Sequence, residues 1–489
     1  MSKPSPAGPR KAAKAGVSAP PSPIEVKAPP PPPAQTRASE IENYTDALRY
    51  LSERHNIERT RVSRLSVDDF KLDRMAALLA ALGDPQNDVR CAHVAGSKGK
   101  GSVVEMAASC LAACGLATGV YTSPHLIDVR ERIRINAEQI GYPQFAKVCQ
   151  RVAAAAETLD PGLGDVSYFE VVTAMALCYF AEQAVDIAIF EVGLGGRLDA
   201  TNLVRPEVTA VTAIQLEHTQ LLGDTAEKIA AEKAGIFKPG VPALTIPQPA
   251  GVLQVLHEAA AAAGTTLQVV GQDIEFSSRF EASPELGPHT RVCLTTPRSN
   301  FEHLPVPLKG EHQAHNCGLA LAILDVLRAR GFETPERLVA EGLGRTPTHG
   351  RMEIVGKAPR IVIDGAHTPE SVHALVRAIG AHLRYDSMVV IFGCAEDKDV
   401  KGMLAKIGLG ADKIIFTRSA GNARSADPRE LAKRYTEMTG KMAQVARSLS
   451  DALDVAGQAV SRDDLICITG SFYLAGEAKK HLAEMRGRK

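Results

Sequence analysis

Cys91-Ala92-His93-Val94-Ala95-Gly96-Ser97-Lys98-Gly99-Lys100-Gly101-Ser102 is the stretch on which the fold turns. It opens as a short apolar run, passes through a glycine-rich turn and continues as a helical pattern to Cys114. Strand, loop and helix in that order predict a phosphate loop. The glycines let backbone amides face a polyphosphate, Lys100 reaches the β and γ phosphates, and the Ser102 hydroxyl is a Mg²⁺ ligand. A chance glycine turn at a helix start is the competing explanation, and the flanking strand and helix argue against it. The gap between Gly96 and the Gly99-Lys100-Gly101-Ser102 end is shorter than in the usual P-loop.

Outward from this loop, strand patterns recur at Thr118–Tyr121, Asp186–Val192 and Val208–Ile214, with helical patterns at Phe169–Gln183 and Thr225–Ala234 beside them. Upstream, Tyr44–Arg54 and Phe70–Leu82 space their apolar residues as helices do. A second alternating series follows the turn-rich segment Arg345–Arg351, with strands expected at Arg360–Ile363, Met388–Phe392, Lys413–Thr417 and Leu465–Thr469. Such alternation predicts an α/β protein: a P-loop mononucleotide-binding domain on a mostly parallel sheet, then a smaller Rossmann-like C-terminal α/β domain. The expected boundaries are a tail over 1–39, an ATP-binding domain over 40–345 and a ligase domain over 346–489. The Pro- and Thr-rich residues 265–310 are expected to add antiparallel strands to the first domain.

The 489 residues carry 56 basic and 56 acidic side chains, which argues against a nucleic-acid backbone as partner. Nine scattered cysteines without a CxxC pair read as thiols of a reducing cytosol. No apolar run is long enough to span a bilayer, and no apolar segment marks a secretory leader. A cytoplasmic monomer without nucleic-acid or membrane partners is expected. Residues 1–39 hold 11 of the 30 prolines, including Pro29–Pro33, with six basic residues and one acid, and read as a disordered basic tail.

His93–Ser102 resembles the ATP loop of the folylpolyglutamate synthase and dihydrofolate synthase family of the Mur ligase superfamily. The resemblance continues in order through Thr122-Ser123-Pro124-His125-Leu126, Glu131-Arg132-Ile133, Tyr168-Phe169-Glu170, Glu191 to Asn202, and Glu232-Lys233-Ala234-Gly235-Ile236. It implies an ATP- and Mg²⁺-dependent amide ligase that adds L-glutamate to a folate-type carboxylate, dihydropteroate or tetrahydrofolate polyglutamates, through an acyl phosphate. Carried over residue by residue, Gly96, Ser97, Lys98, Gly99, Lys100, Gly101 and Ser102 hold the phosphates. Ser102 and Glu170 hold one Mg²⁺; His218 and a carbamylated Lys233 hold a second. Asn316 lies near the adenine, Arg351 contacts phosphate from the hinge, Asp364 holds the ribose, and His367 completes the nucleotide site. Lys100, His218 and Lys233 are thereby the catalytic candidates.

Two positions depart from the family pattern: Glu217 stands where Asp is usual, and Thr368 where folate ligases usually carry Asn. Gly193-Leu194-Gly195-Gly196-Arg197 lacks the spacing of a dinucleotide fingerprint and reads as a substrate-facing loop, with Arg197 and Asp199 as candidates. Two alternatives stand beside this reading. One is a Mur-type ligase acting on another carboxylate, such as a UDP-linked precursor. Its UDP-binding domain would have to fit into the roughly 55 residues between tail and loop, too few for a typical domain. The other is a non-catalytic P-loop nucleotide-binding protein, for which a second domain carrying Asp364 and His367 is unnecessary.

Overall fold

The computed structural model describes residues 1, 2, 8, 36–56, 58, 71–422 and 424–487. After α1 (Tyr44–Ser52) and α2 (Leu72–Ala81) comes β1 (Cys91–Ala95), every residue of it buried, which leads into α3 (Lys100–Ala113). β1 lies inside an eight-stranded sheet ordered β4 (Glu138–Gln139), β3 (Ile133–Ile135), β2 (Thr118–Tyr121), β5 (Ile187–Glu191), β1, β6 (Pro206–Val211), β7 (Ala243–Thr245), β8 (Leu267–Val269). From β2 to β8 all pairings are parallel; β3 and β4 are antiparallel additions at one edge. Alternate residues of the inner strands point to opposite faces, so both faces need a cover. Ala92, Val94, Ile187 and Ile189 join one core with α3, while Cys91, Ala188 and Phe190 join another. α9 (His312–Ala329) and α10 (Glu336–Gly344) pack on α3, and α4 (Tyr142–Ala156) packs with α5 (Tyr168–Glu182) and α1. Beyond β6, α6 (Thr219–Leu222) and α7 (Ala226–Ala234) pack together, and α8 (Ala250–Ala262) lies against α7.

The expected antiparallel strands exist, but they do not extend the first sheet. β9 (Glu275–Ser283), β10 (Gly287–Thr295) and β11 (Asn300–Pro305) form a three-stranded sheet of their own. A third sheet, ordered β12 (Glu353–Lys357), β13 (Arg360–Ile363), β17 (Leu465–Thr469), β14 (Met388–Phe392), β15 (Lys413–Phe416), β16 (Gln444–Val445), is parallel except at β12. α11 (Pro369–His382), α12 (Val400–Ile407), α13 (Pro428–Thr439), α14 (Leu449–Ala459) and α15 (Phe472–Gly487) complete this part. Here too the strands alternate, Val390 and Phe392 entering one core, Val389 and Ile391 the other.

Most of the tail reading falls outside the described residues, as does Phe70 at the start of the second helical pattern. The last tail positions do not behave as a tail, because Thr36 begins a unit that continues to Lys489. The Thr36 amide and hydroxyl both donate to the Glu53 carboxylate at 2.7 Å, and the Ala38 amide donates to Glu157 at 2.7 Å. Removing residues 1–39 is therefore expected to cost about 1–3 kcal/mol of stability, read as a lower urea midpoint at unchanged slope.

Candidate functional site

Several α-helices near the cleft start on a side-chain cap: Ser167 accepts from the Glu170 amide, Thr225 from Lys228, and Thr368 from Ser371. α3 starts instead on Gly99, at φ +95°, with no side-chain cap. Its first amides and the positive end of its dipole are left to face the cleft, which is what an anion requires. A Cβ on Gly99 would fall 2.4 Å from Asn316 Oδ1, so α9 presses directly on the loop. The Ser97 and Lys98 amides donate to the Ala213 carbonyl, and Ser97 Oγ donates to Gln215 O at 2.9 Å, pinning the loop to the end of β6. Lys100 Nζ donates to Gly96 O at 2.8 Å and so lies along the loop it serves.

The loop forms one wall of a cleft of about 640 Å³, with the third sheet opposite. Lys98 Nζ meets His367 Nε2 across it at 3.4 Å. Asp364 follows β13, as expected of ligand positions at the carboxyl ends of parallel strands. Its carboxylate accepts from the Met352 and Ala366 amides at 2.7 Å; burial nevertheless raises its pKa to about 6. Burial lowers His367 to about 3, and Lys98 adds to that, so the imidazole is neutral. A Cβ on Gly101 would lie 2.0 Å from Arg351 Nη2, so the hinge guanidinium stands on the phosphate loop. Ser97, Lys98, Gly99, Lys100, Gly101, Ser102, Glu170, His218, Asn316, Arg351, Asp364 and His367 all line this cleft. Lys233 is 1% exposed and lies behind Glu217 rather than on the cleft surface.

The carboxylates divide unequally. Glu170 is already satisfied: Arg74 Nε donates to both oxygens at 2.9 and 3.0 Å, and the Ser167 amide donates at 2.7 Å in a capping box. Glu191, which ends β5 beside the phosphate loop, is 4% exposed and accepts from the Ser123 amide at 3.3 Å; burial raises its pKa. A buried carboxylate with lone pairs to spare, 3.3 Å from a Cβ placed on Gly101, suits a hard cation held with Ser102. Sequence reasoning passed over Glu191, although an acid ending the strand next to the phosphate-loop strand was a usable signal. Glu191→Gln is expected to weaken Mg²⁺-nucleotide binding about tenfold or more without loss of stability. Glu170→Ala, which removes the buried ion pair with Arg74, is expected to cost about 3–5 kcal/mol. Calorimetric titration and chemical denaturation of both variants separate the two roles.

Lys233 Nζ donates to Glu217 Oε1 at 2.9 Å, and Lys98 Nζ lies 4.0 Å from Glu217 Oε2. Burial lowers Lys233 to about 8 against the pull of Glu217, and Lys98 likewise to about 8. Burial would raise Glu217, but the lysines, Lys233 first, hold it at about 2. His218, at φ +46°, is lowered to about 4 by desolvation in spite of Glu217. The extra methylene of Glu217 thus spans to Lys233, and Thr368 serves as the N-cap of α11, a role Asn fills equally well.

The glycine-rich loop 193–196 is organised from within. Asp199 accepts from the Gly193, Leu194 and Thr201 amides, which makes it the loop's internal support. Arg197 turns away from the cleft to pair with Glu232 at 2.8 Å. Gly196 is required by close approach, since its Cβ would sit 2.8 Å from the Lys233 carbonyl; the loop thereby packs α7 into place.

A phosphate loop on one parallel sheet, facing an Asp-Gly-Ala-His loop on a second across a shared cleft, defines an ATP-dependent ligase of the Mur ligase type. Residues 94–324 match the Mur ligase middle domain and residues 350–472 the Mur ligase glutamate ligase domain. The dihydrofolate synthase/folylpolyglutamate synthase of Bacillus subtilis is 32% identical over 430 residues, covering 84% of this chain and 94% of the relative. A probable bifunctional folylpolyglutamate synthase/dihydropteroate synthase of Halobacterium salinarum is 34% identical over 406 residues; the match takes in 83% of this chain but only 48% of that protein, so the chain spans about half its length. The solved structure of E. coli FolC with DHPP and ADP is 28% identical, with a TM-score of 0.77 over 92% of this chain and 99% of that one. The chain belongs to the folylpolyglutamate synthase and dihydrofolate synthase family.

Proposed function

We propose that this ligase joins the amine of L-glutamate to the carboxylate of a folate-type acceptor, dihydropteroate, a reduced folate, or both, with cleavage of ATP to ADP and phosphate. The observation that carries the reading is the meeting of Arg351, His367 and the phosphate loop in one cleft, which a binding protein without chemistry does not need. The acceptor carboxylate attacks the γ phosphorus to give an acyl phosphate; the glutamate amine then attacks its carbonyl carbon, and phosphate leaves. Lys100 and Arg351 oppose the charge of the transferring group, the α3 amides hold the phosphates, and Asn316 with Gln313 borders the base. No Ser or Cys nucleophile takes part.

Mg²⁺ fits the oxygen donors Ser102 and Glu191, and when bound neutralises phosphate charge. His218 with a bare Lys233 ammonium suits no cation, whereas a Lys233 carbamate would; we assign the second Mg²⁺ to that pair on this ground. The nine unpaired cysteines and the lack, among the described residues, of a helix long and apolar enough to cross a membrane support a cytosolic enzyme. A monomer is proposed. Incubation of the full chain with Mg²⁺, ATP, L-glutamate and either dihydropteroate or tetrahydrofolate, followed by mass spectrometry, tests the assignment. A product one glutamyl residue heavier is expected from at least one acceptor, and none from either would favour the Mur-type alternative.

A further inference from the structure

Glu105 follows Gly101 by four residues on α3, so the two share a helix face. Gly101 is the position against which Arg351 rests. The Glu105 side chain is 4% exposed, and no step described above uses it. Oε1 receives Arg134 Nη2 at 2.6 Å and lies 3.2 Å from His349 Nδ1. Arg134 belongs to β3, whereas His349 belongs to the hinge, two residues before Arg351. A single buried oxygen therefore joins the phosphate-loop helix, the edge of the first sheet and the hinge.

The hinge is sharply bent: His349, Gly350 and Met352 take φ of +32°, +68° and +46°, a conformation that costs energy at the two non-glycine positions. Its backbone is fixed mainly toward the third sheet. The Gly350 amide donates to Glu353 at 2.8 Å, the Gly350 carbonyl accepts from Gly365, and the Met352 amide donates to Asp364. Among the described residues, the hydrogen bond from the phosphate-loop helix to the hinge is the side-chain contact Glu105–His349. The Arg351 amide donates to Thr348 O at 2.9 Å, but its guanidinium makes no hydrogen bond or ion pair among the described residues, so its place over the loop is set by how its backbone is held.

We propose that Glu105, acting through His349, is a positioning residue that fastens the hinge to the phosphate-loop helix and so holds the Arg351 guanidinium over the nucleotide phosphates. Burial would raise the Glu105 carboxyl, but Arg134, then His349 and Arg351, hold it at about 2, so the anchor is an anion throughout the working range. The proposal rests on the nucleotide-binding reading of Arg351 and is independent of which acceptor the enzyme uses.

Titration of the full chain with Mg²⁺ and the non-hydrolysable analogue AMPPCP reads it without catalysis. Glu105→Gln leaves Arg134 short of a counter-charge and risks misfolding, so the half-exposed His349 carries the test. His349→Ala is expected to raise Kd about tenfold at unchanged melting temperature, and His349→Gln, which keeps a hydrogen-bonding group, to recover most of the loss. In an Arg351→Ala background, His349→Ala should add less than about twofold, because both changes remove one interaction. Wild-type affinity in His349→Ala, or full multiplication of the two effects, overturns the proposal. Unchanged affinity in Arg351→Ala alone overturns the reading of Arg351 and the proposal with it, while the acceptor assay still reports separately on ligation.

Discussion

Lys100→Ala is expected to reduce ligation by about 10²–10³-fold while the protein unfolds at an unchanged denaturant midpoint. The amine lies within its own loop, 2.8 Å from Gly96 O, and is not part of either core, so little packing is lost with it. What disappears is a point charge carried by the phosphate loop itself. Arg351 remains, held over Gly101 from the hinge. Retention of more than about a tenth of wild-type turnover, a loss of only about 1.4 kcal/mol, would show that this loop does not hold the transferring phosphoryl group.

Lys233→Ala is expected to lower turnover about ten- to a hundredfold, with partial recovery when a short carboxylate such as acetate is supplied. The side chain is 1% exposed, its charge is balanced by Glu217, and burial brings it to about 8. Carbamylation consumes the neutral amine and CO₂ and releases a proton. A group titrating near 8 is mostly charged below that pH and mostly neutral above it, so at fixed dissolved CO₂ the modified fraction should rise from about pH 7 to about pH 9. ¹³C NMR of the enzyme equilibrated with labelled bicarbonate follows this directly through a carbamate resonance absent from Lys233→Ala. A bare amine at Lys233 in crystals grown with Mg²⁺, ATP and bicarbonate would contradict it.

The two mostly parallel sheets were legible because their strands are short, mainly apolar and separated by helices of normal length. Cys91–Ala95, Thr118–Tyr121, Arg360–Ile363, Met388–Phe392 and Leu465–Thr469 form with the bounds their patterns suggest. β7, β8 and β16 escaped notice, being two or three residues long and completed by pairing with distant neighbours. The strands β9–β11 were recognisable as antiparallel; they pair with one another in chain order, as a sheet separate from the first. Within the site, glycine spacing disclosed the phosphate loop. The pairing of Glu170 with Arg74 was not legible, because the two lie 96 residues apart in sequence. Arg197 and Asp199, both polar and beside glycines, looked alike on paper; only the fold turns one outward to Glu232 and the other into its own loop.

The proposed phosphoryl transfer to the acceptor carboxylate before amide formation leaves an isotopic trace in the phosphate released. With the acceptor carboxylate labelled with ¹⁸O, attack on the γ phosphorus makes one carboxylate oxygen the bridge of the acyl phosphate, and the amine then expels it with phosphate. One ¹⁸O is predicted in the inorganic phosphate for each glutamyl product formed, dependent on L-glutamate. Unlabelled phosphate accompanying product formation, or label recovered in AMP, would contradict the mechanism.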